Sequence, residues 1–186
     1  LMAVFSPLDT YETIKRKCEQ LNVRKNDIER RNKFCSFICR EDYFGDRKFF
    51  AEEISRIDKI SCPGKFMHND DDLKLKYNNL KTEYLKNFKF NLCPENSDSR
   101  GYVTEKLFDS IYWGSGNSPE PDILNEKAIL FLELHGNNES TLNEIREINR
   151  KPALYKEFIN QDKLNKEAPE LIYQYFNQLD KKLRIL

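Results

Sequence analysis

Two stretches of this 186-residue chain repeat one order of parts, and that order constrains the fold more than any other feature. Phe34 to Cys39 (FCSFIC) is an apolar run of strand length, and the polar loop REDYFG follows it. Asp46 then stands as an N-cap before RKFFAEEISRI, where Phe50, Ile54 and Ile57 recur on one helical face. The second stretch begins with Phe88, Phe90 and Leu92, which alternate with Lys89 and Asn91 as in a strand. Pro94 to Gly101 make a loop, and Tyr102 to Ile111 carry a helix with Leu107, Phe108 and Ile111 on its apolar side. Strands that alternate with helices predict a parallel α/β sheet.

The rest of the chain fits around these two units. Residues 10–31 read as a highly charged helix, and KISCPGKF as a short strand that ends in a Pro-Gly turn. HNDDDLKLKYNN reads as a polar loop, with Asp70 to Asp72 as an exposed turn rather than a metal site. AILFLE (Ala128 to Glu133) has the character of a third strand. Thr141 and Glu144 match a capping box before a helix, and PALYKEFINQ predicts another. The last helix carries an apolar stripe of Ala168, Leu171, Ile172, Tyr175, Leu179 and Leu183.

Charge and cysteine content remove several functions. Lys and Arg number 31 against 31 Asp and Glu, so the basic excess of a nucleic-acid binder is missing. No apolar run approaches the roughly 20 residues of a membrane span, and LMAVFSPLDT is too short and uncharged for a signal peptide. Five cysteines without tight spacing give neither a disulfide framework nor a paired zinc motif with His68 or His135. There is no phosphate loop of the G-x-x-x-x-G-K type, and GSGN at Gly114 to Asn117 lacks the third glycine and the preceding strand of a dinucleotide fingerprint.

Ligands of an open parallel sheet bind beyond the carboxyl ends of the strands. Here two loops leave strand ends, and each opens into a helix whose free N–H groups favour an anion. Arg47 stands at the start of the first helix and Lys106 in the first turn of the second. Cations there oppose the helix dipole, which an anion held between them would offset. The alternative is ordinary surface pairing, of Arg47 with Glu41 or Asp42 and of Lys106 with Glu105 or Asp109.

The segment KFNLCPENSDSRGYVTEKLFD resembles the donor-binding motif of the family 10 glycosyltransferases, the α-1,3/4-fucosyltransferases. KFCSFIC, DRKFF, the CPGK turn and IYWGSGN resemble further blocks of that family in its order, from Lys33 to about Asn117. The resemblance implies a GT-B fold, with this chain supplying the Rossmann-like parallel sheet of the C-terminal nucleotide-sugar domain and its C-terminal helices. Residues 33–150 would form the GDP-fucose-binding domain and residues 151–186 the C-terminal helices. Residues 1–32 would be a helical remnant of, or linker from, the acceptor-binding half.

The implied reaction is inverting transfer of fucose from GDP-fucose to a hydroxyl of an N-acetylglucosamine-containing glycan, of α-1,3 type. By position, Arg47 and Lys106 would grip the diphosphate, and Glu105 would hold the fucose and support charge on its ring. Asn96 and Tyr102 would contact the donor, and Glu95 would orient the loop. No cofactor is required on this logic, and a divalent metal would at most stimulate. The partners are GDP-fucose and a glycan acceptor, without nucleic acid, with peripheral membrane association on the cytoplasmic side for a bacterial protein or a Golgi lumen for a eukaryotic one. Two departures from the pattern predict a fragment or a missing segment. The acceptor half that holds the family's general base is not recognisable, and LFDS runs straight into IYWG at Ser110–Ile111. Alternatives to the enzyme are a non-catalytic nucleotide-sugar-binding module and a helical interaction protein.

Overall fold

The computed structural model describes residues 4–22, 28–94 and 122–183, with residues 179–183 described by backbone alone. Helix α1 (Tyr11–Asn22) comes first, and residues 28–30 form a turn ahead of the sheet. Strand β1 (Lys33–Ser36), helix α2 (Asp46–Ser55), strand β2 (Ile60–Ser61), helices α3 (Asp72–Leu75) and α4 (Lys81–Leu85), and strand β3 (Phe88–Asn91) follow. A 3-10 turn (Glu126–Ala128) leads to α5 (Glu139–Arg150), α6 (Pro152–Ile159) and α7 (Ala168–Leu183).

The three strands form a parallel sheet in the order β2-β1-β3, as the alternating pattern predicts. Cys35 is level with Ile60 on one side and Phe90 on the other. The chain leaves β1 for one edge and then crosses to the opposite edge for β3. The loops after β1 and β3 therefore diverge, and that divergence opens a crevice at the strands' carboxyl ends. Both faces of the sheet are covered. Phe90 meets Phe34 at 5.6 Å between ring centres, and Tyr155 and Phe158 of α6 at 6.2 Å each. Burying a side chain of this size is worth roughly 1.5–3 kcal/mol.

Several local readings are corrected. Asp46 is the first residue of α2 rather than its cap. The cap is supplied by Asp42, whose carboxylate accepts the N–H groups of Gly45 (3.1 Å), Arg47 (3.4 Å) and Lys48 (2.9 Å). Gly45 has φ of 84°, a left-handed conformation that glycine adopts without penalty, and this turn brings Asp42 back over the helix start. The stretch 68–79 is not all loop, since α3 lies within it. Its acids are not a bare exposed turn either. Asp70 accepts the Tyr84 hydroxyl at 2.9 Å, and Asp72 accepts Lys33 Nζ and Lys76 Nζ, each at 3.0 Å.

Thr141 and Glu144 make no capping box, because α5 starts earlier, at Glu139. Its entrance is held by Asn138, a buried side chain that accepts the Glu133 N–H (2.8 Å) and donates to the Glu133 carbonyl (3.0 Å). In α7 the buried stripe is Ala168, Ile172 and Phe176, whereas Leu171 is half-buried and Tyr175 exposed. Leu179 and Leu183 lie where side chains are not described.

Among the described residues, AILFLE pairs with none of the three strands of the sheet. It is an extended run whose alternate residues enter two different cores. Ala128, Leu130 and Leu132 join the core beneath the sheet, with Phe37, Phe50, Ile54, Leu142 and Ile145. Ile129 joins a second core made by Phe5, Ile14 and Cys18 with Leu164, Ile172 and Phe176, and half-buried Phe131 packs against that core. Helix α1 thus packs on α7, joining the two ends of the described chain. Among the described residues, the period-2 pattern is met by burial between two layers.

Candidate functional site

A cavity of about 1010 Å³ opens at the carboxyl ends of all three strands. Phe37 to Arg40 line it beyond β1, Pro63 to Lys65 beyond β2, and Asn91 to Pro94 at the end of β3. Its floor depends on a close backbone approach. A Cβ placed on Gly64 would lie 1.9 Å from the Cys39 carbonyl oxygen, so only glycine lets the CPGK turn rest against the end of β1. The Phe66 N–H donates to that same carbonyl at 3.2 Å. Behind the floor, the buried Ser36 hydroxyl donates to Asn91 Oδ1 at 2.5 Å, and Asn91 Nδ2 lies 3.0 Å from Cys93 Sγ.

Arg47 lines this cavity from the first turn of α2. Its Nη1 donates to the Glu41 carbonyl and lies 3.6 Å from Cys39 Sγ, which positions the guanidinium over the loop after β1. The Glu41 carboxylate accepts the Tyr43 hydroxyl and lies 3.6 Å from Arg40 Nε. Arg40, Lys65, Lys74 and Lys81 also line the space, against the carboxylates of Asp70 and Asp71. A cationic excess in a cavity at helix and strand ends suits a polyanionic ligand.

Of the site residues expected from sequence, Arg47 lies in the described part of the chain, where it lines the cavity and pairs with the loop residues Glu41 and Asp42. Glu95, Asn96, Tyr102, Glu105 and Lys106 lie outside the described residues, as does the Ser110–Ile111 junction. Gly64, His68 and Asp71 also line the cavity, although the sequence reading gave none of them a role in holding the donor. His68 sets Nδ1 at 2.9 Å from the Gly64 carbonyl and Nε2 at 3.1 Å from Asp71 Oδ1. Both ring nitrogens face acceptors, so the doubly protonated ring fits best. The Gly64 carbonyl first, and Asp71 second, raise its pKa above the ordinary histidine value. The CPGK turn was visible as a turn, but nothing local indicated which backbone it would meet.

The five cysteines are free and buried. Burial pushes Cys62 and Cys18 up to about 11 and raises Cys35 well above the usual thiol range, so these three remain thiols at neutral pH. Among the described residues, no three His, Cys, Asp or Glu side chains group as metal ligands do, and no helix is long and apolar enough to cross a membrane.

The parallel α/β sheet thus carries its cavity at a switch point, with an arginine at a helix start within it. The chain is 27% identical over 156 residues to the α-(1,3)-fucosyltransferase FucT of Helicobacter pylori, covering 80% of this chain and 31% of that protein. Its fold matches a crystal structure of α1,3-fucosyltransferase with a TM-score of 0.62 and 25% identity, over 73% of this chain and 39% of the other. A structure of α1,3-fucosyltransferase with GDP-fucose matches with a TM-score of 0.61 and 26% identity, over 81% of this chain and 46% of the other. No family model matches the chain. The chain is homologous to α-1,3-fucosyltransferases and has the α/β architecture of their GT-B fold. It spans about a third of the curated relative's length and under half of the matched structures.

Proposed function

We propose that this chain is the donor-binding half of an inverting α-1,3-type fucosyltransferase, which holds GDP-fucose and passes fucose to a hydroxyl of an N-acetylglucosamine-containing glycan. The observation that carries this reading is Arg47, a cation at a helix start, lining a cavity at the sheet's switch point in a chain homologous to such enzymes. Residues 33–150 form the donor unit and residues 151–186 the helices that support it. Residues 1–32 lead from the acceptor-binding half.

In the reaction, the bond between fucose C1 and the diphosphate oxygen breaks with its electrons going to GDP, and the acceptor oxygen bonds to C1 from the opposite face. Arg47 and Lys106 take up the negative charge that collects on the leaving diphosphate. Glu105 stabilises positive charge on the sugar ring, Asn96 and Tyr102 hold the donor, and Glu95 orients its loop. The acceptor proton goes to a carboxylate of the acceptor half. Arginine and lysine supply the charge that a metal provides in other glycosyltransferases, so no cofactor is needed and a divalent metal at most stimulates. The working location is the cytoplasm, at the membrane, for a bacterial protein and the Golgi lumen for a eukaryotic one.

The test is labelled GDP-fucose with a panel of small glycan acceptors, on the protein with its acceptor-binding half in place. Arg47→Ala lowers turnover by roughly 10²–10³, the usual contribution of a group that stabilises developing charge. Unchanged turnover in that variant overturns the role given to Arg47. Binding of GDP-fucose with no transfer to any acceptor replaces the enzyme with a non-catalytic binding module, and no affinity for GDP leaves a helical interaction protein.

A further inference from the structure

From Arg47 the cavity runs past Cys39 to the turn after β2 and on to Asp71, Lys74 and Lys81. If the diphosphate lies at Arg47 and the fucose toward the loop after β3, the nucleoside lies at this other end. Two carboxylates line that end. Asp70 is already engaged, by the Tyr84 hydroxyl at 2.9 Å and by Lys33 Nζ at 3.9 Å. Asp71 is different. Its Oδ1 is held by His68 Nε2 at 3.1 Å, while its Oδ2 has no protein partner among the described residues, and its side chain is 69% exposed. His68 Nδ1 lies 2.9 Å from the Gly64 carbonyl, in a turn whose Phe66 N–H donates to the Cys39 carbonyl beyond β1 at 3.2 Å. The result is an accessible carboxylate fixed at the cavity wall by a chain of contacts that leads back to the sheet.

Guanine presents two neighbouring donors on one edge, N1–H and the exocyclic N2–H, and a carboxylate can accept both. Adenine, cytosine and uracil have no such pair. We propose that Asp71 reads the base of the donor, accepting guanine N1–H and N2–H, with His68 as the residue that positions its carboxylate. The proposal rests on the reading of this cavity as a GDP-fucose site.

Binding of GDP, inosine diphosphate and xanthosine diphosphate to the full chain, measured by calorimetry, tests it. Inosine diphosphate lacks the exocyclic amine, so the wild-type chain binds it at least about tenfold more weakly than GDP, as a site built for a donor rejects a ligand without it. Asp71→Asn removes one acceptor and adds a donor. It therefore weakens GDP by about tenfold or more and tightens xanthosine diphosphate, whose C2 carbonyl accepts from the new amide. His68→Asn retains the carboxylate but loosens it, and reduces GDP affinity by less than Asp71→Asn does. GDP affinity unchanged in Asp71→Asn, or equal wild-type affinity for GDP and inosine diphosphate, overturns the assignment and leaves the donor site standing. No wild-type affinity for any of the three overturns the donor site as well.

Discussion

Asp42 and His68 act through geometry that extends only a few residues, and each supports a separate expectation. One carboxylate of Asp42 accepts three backbone N–H groups at the start of α2, the helix that presents Arg47. Removing a cap of this kind typically costs about 1–2 kcal/mol. Asp42→Ala should therefore lower unfolding stability by that amount in urea titrations, and a change within error would mean that water replaces the cap. His68 lies between the Gly64 carbonyl and Asp71, contacts that favour its protonated form and raise its pKa. The stabilisation is complete below the ordinary histidine pKa of about 6.5 and is lost as pH rises through the higher folded-state value. The His68 ring resonance in NMR should titrate with a midpoint above that of an unfolded histidine, and Asp71→Asn should bring it down. A midpoint at or below the ordinary value would contradict the doubly protonated ring.

The decisive element packing is that of α1 on α7, which forms a core separate from the one beneath the sheet. Ile14 and Cys18 of α1 meet Ala168, Ile172 and Phe176 of α7, and Ile129 enters from the extended segment between the two cores. Tyr11 and Tyr173 add an edge-to-face contact at 5.8 Å between ring centres. Truncating a fully buried isoleucine removes its transfer energy and leaves a cavity, a loss of about 2–5 kcal/mol. Ile172→Ala should accordingly speed amide exchange in α1 and α7 far more than in β1 and β3. Equal loss of protection throughout would show that the two cores unfold as one unit.

At the scale of the whole molecule, formal charge is balanced but not evenly placed. The chain carries 31 basic and 31 acidic side chains, whereas the cavity gathers Arg40, Arg47, Lys65, Lys74 and Lys81 against Asp70 and Asp71. Local excess on a neutral protein attracts an anion without raising self-repulsion elsewhere. GDP affinity should fall steadily as ionic strength rises from about 0.01 M to about 0.5 M, since the screening length shrinks from roughly 30 Å to a few ångströms. The melting temperature without ligand should move little over the same range, and a salt-independent affinity would argue that the cavity cations do not meet the diphosphate.

The parallel sheet, the helix after β1 and the position of Arg47 were legible in sequence because each depends on periodicity and end signals within about 15 residues. The motif resemblance extended that reading to the donor. What sequence could not supply was the identity of partners across long separations. Apolar alternation in Ala128 to Glu133 specified two buried faces, but only the packed molecule decided which of two separate cores each face would enter. In the same way, Gly64, His68 and Asp71 became cavity residues only when the turn after β2 came to rest on the Cys39 backbone. Local pattern determines which side of an element avoids water, and tertiary contact decides what it meets there.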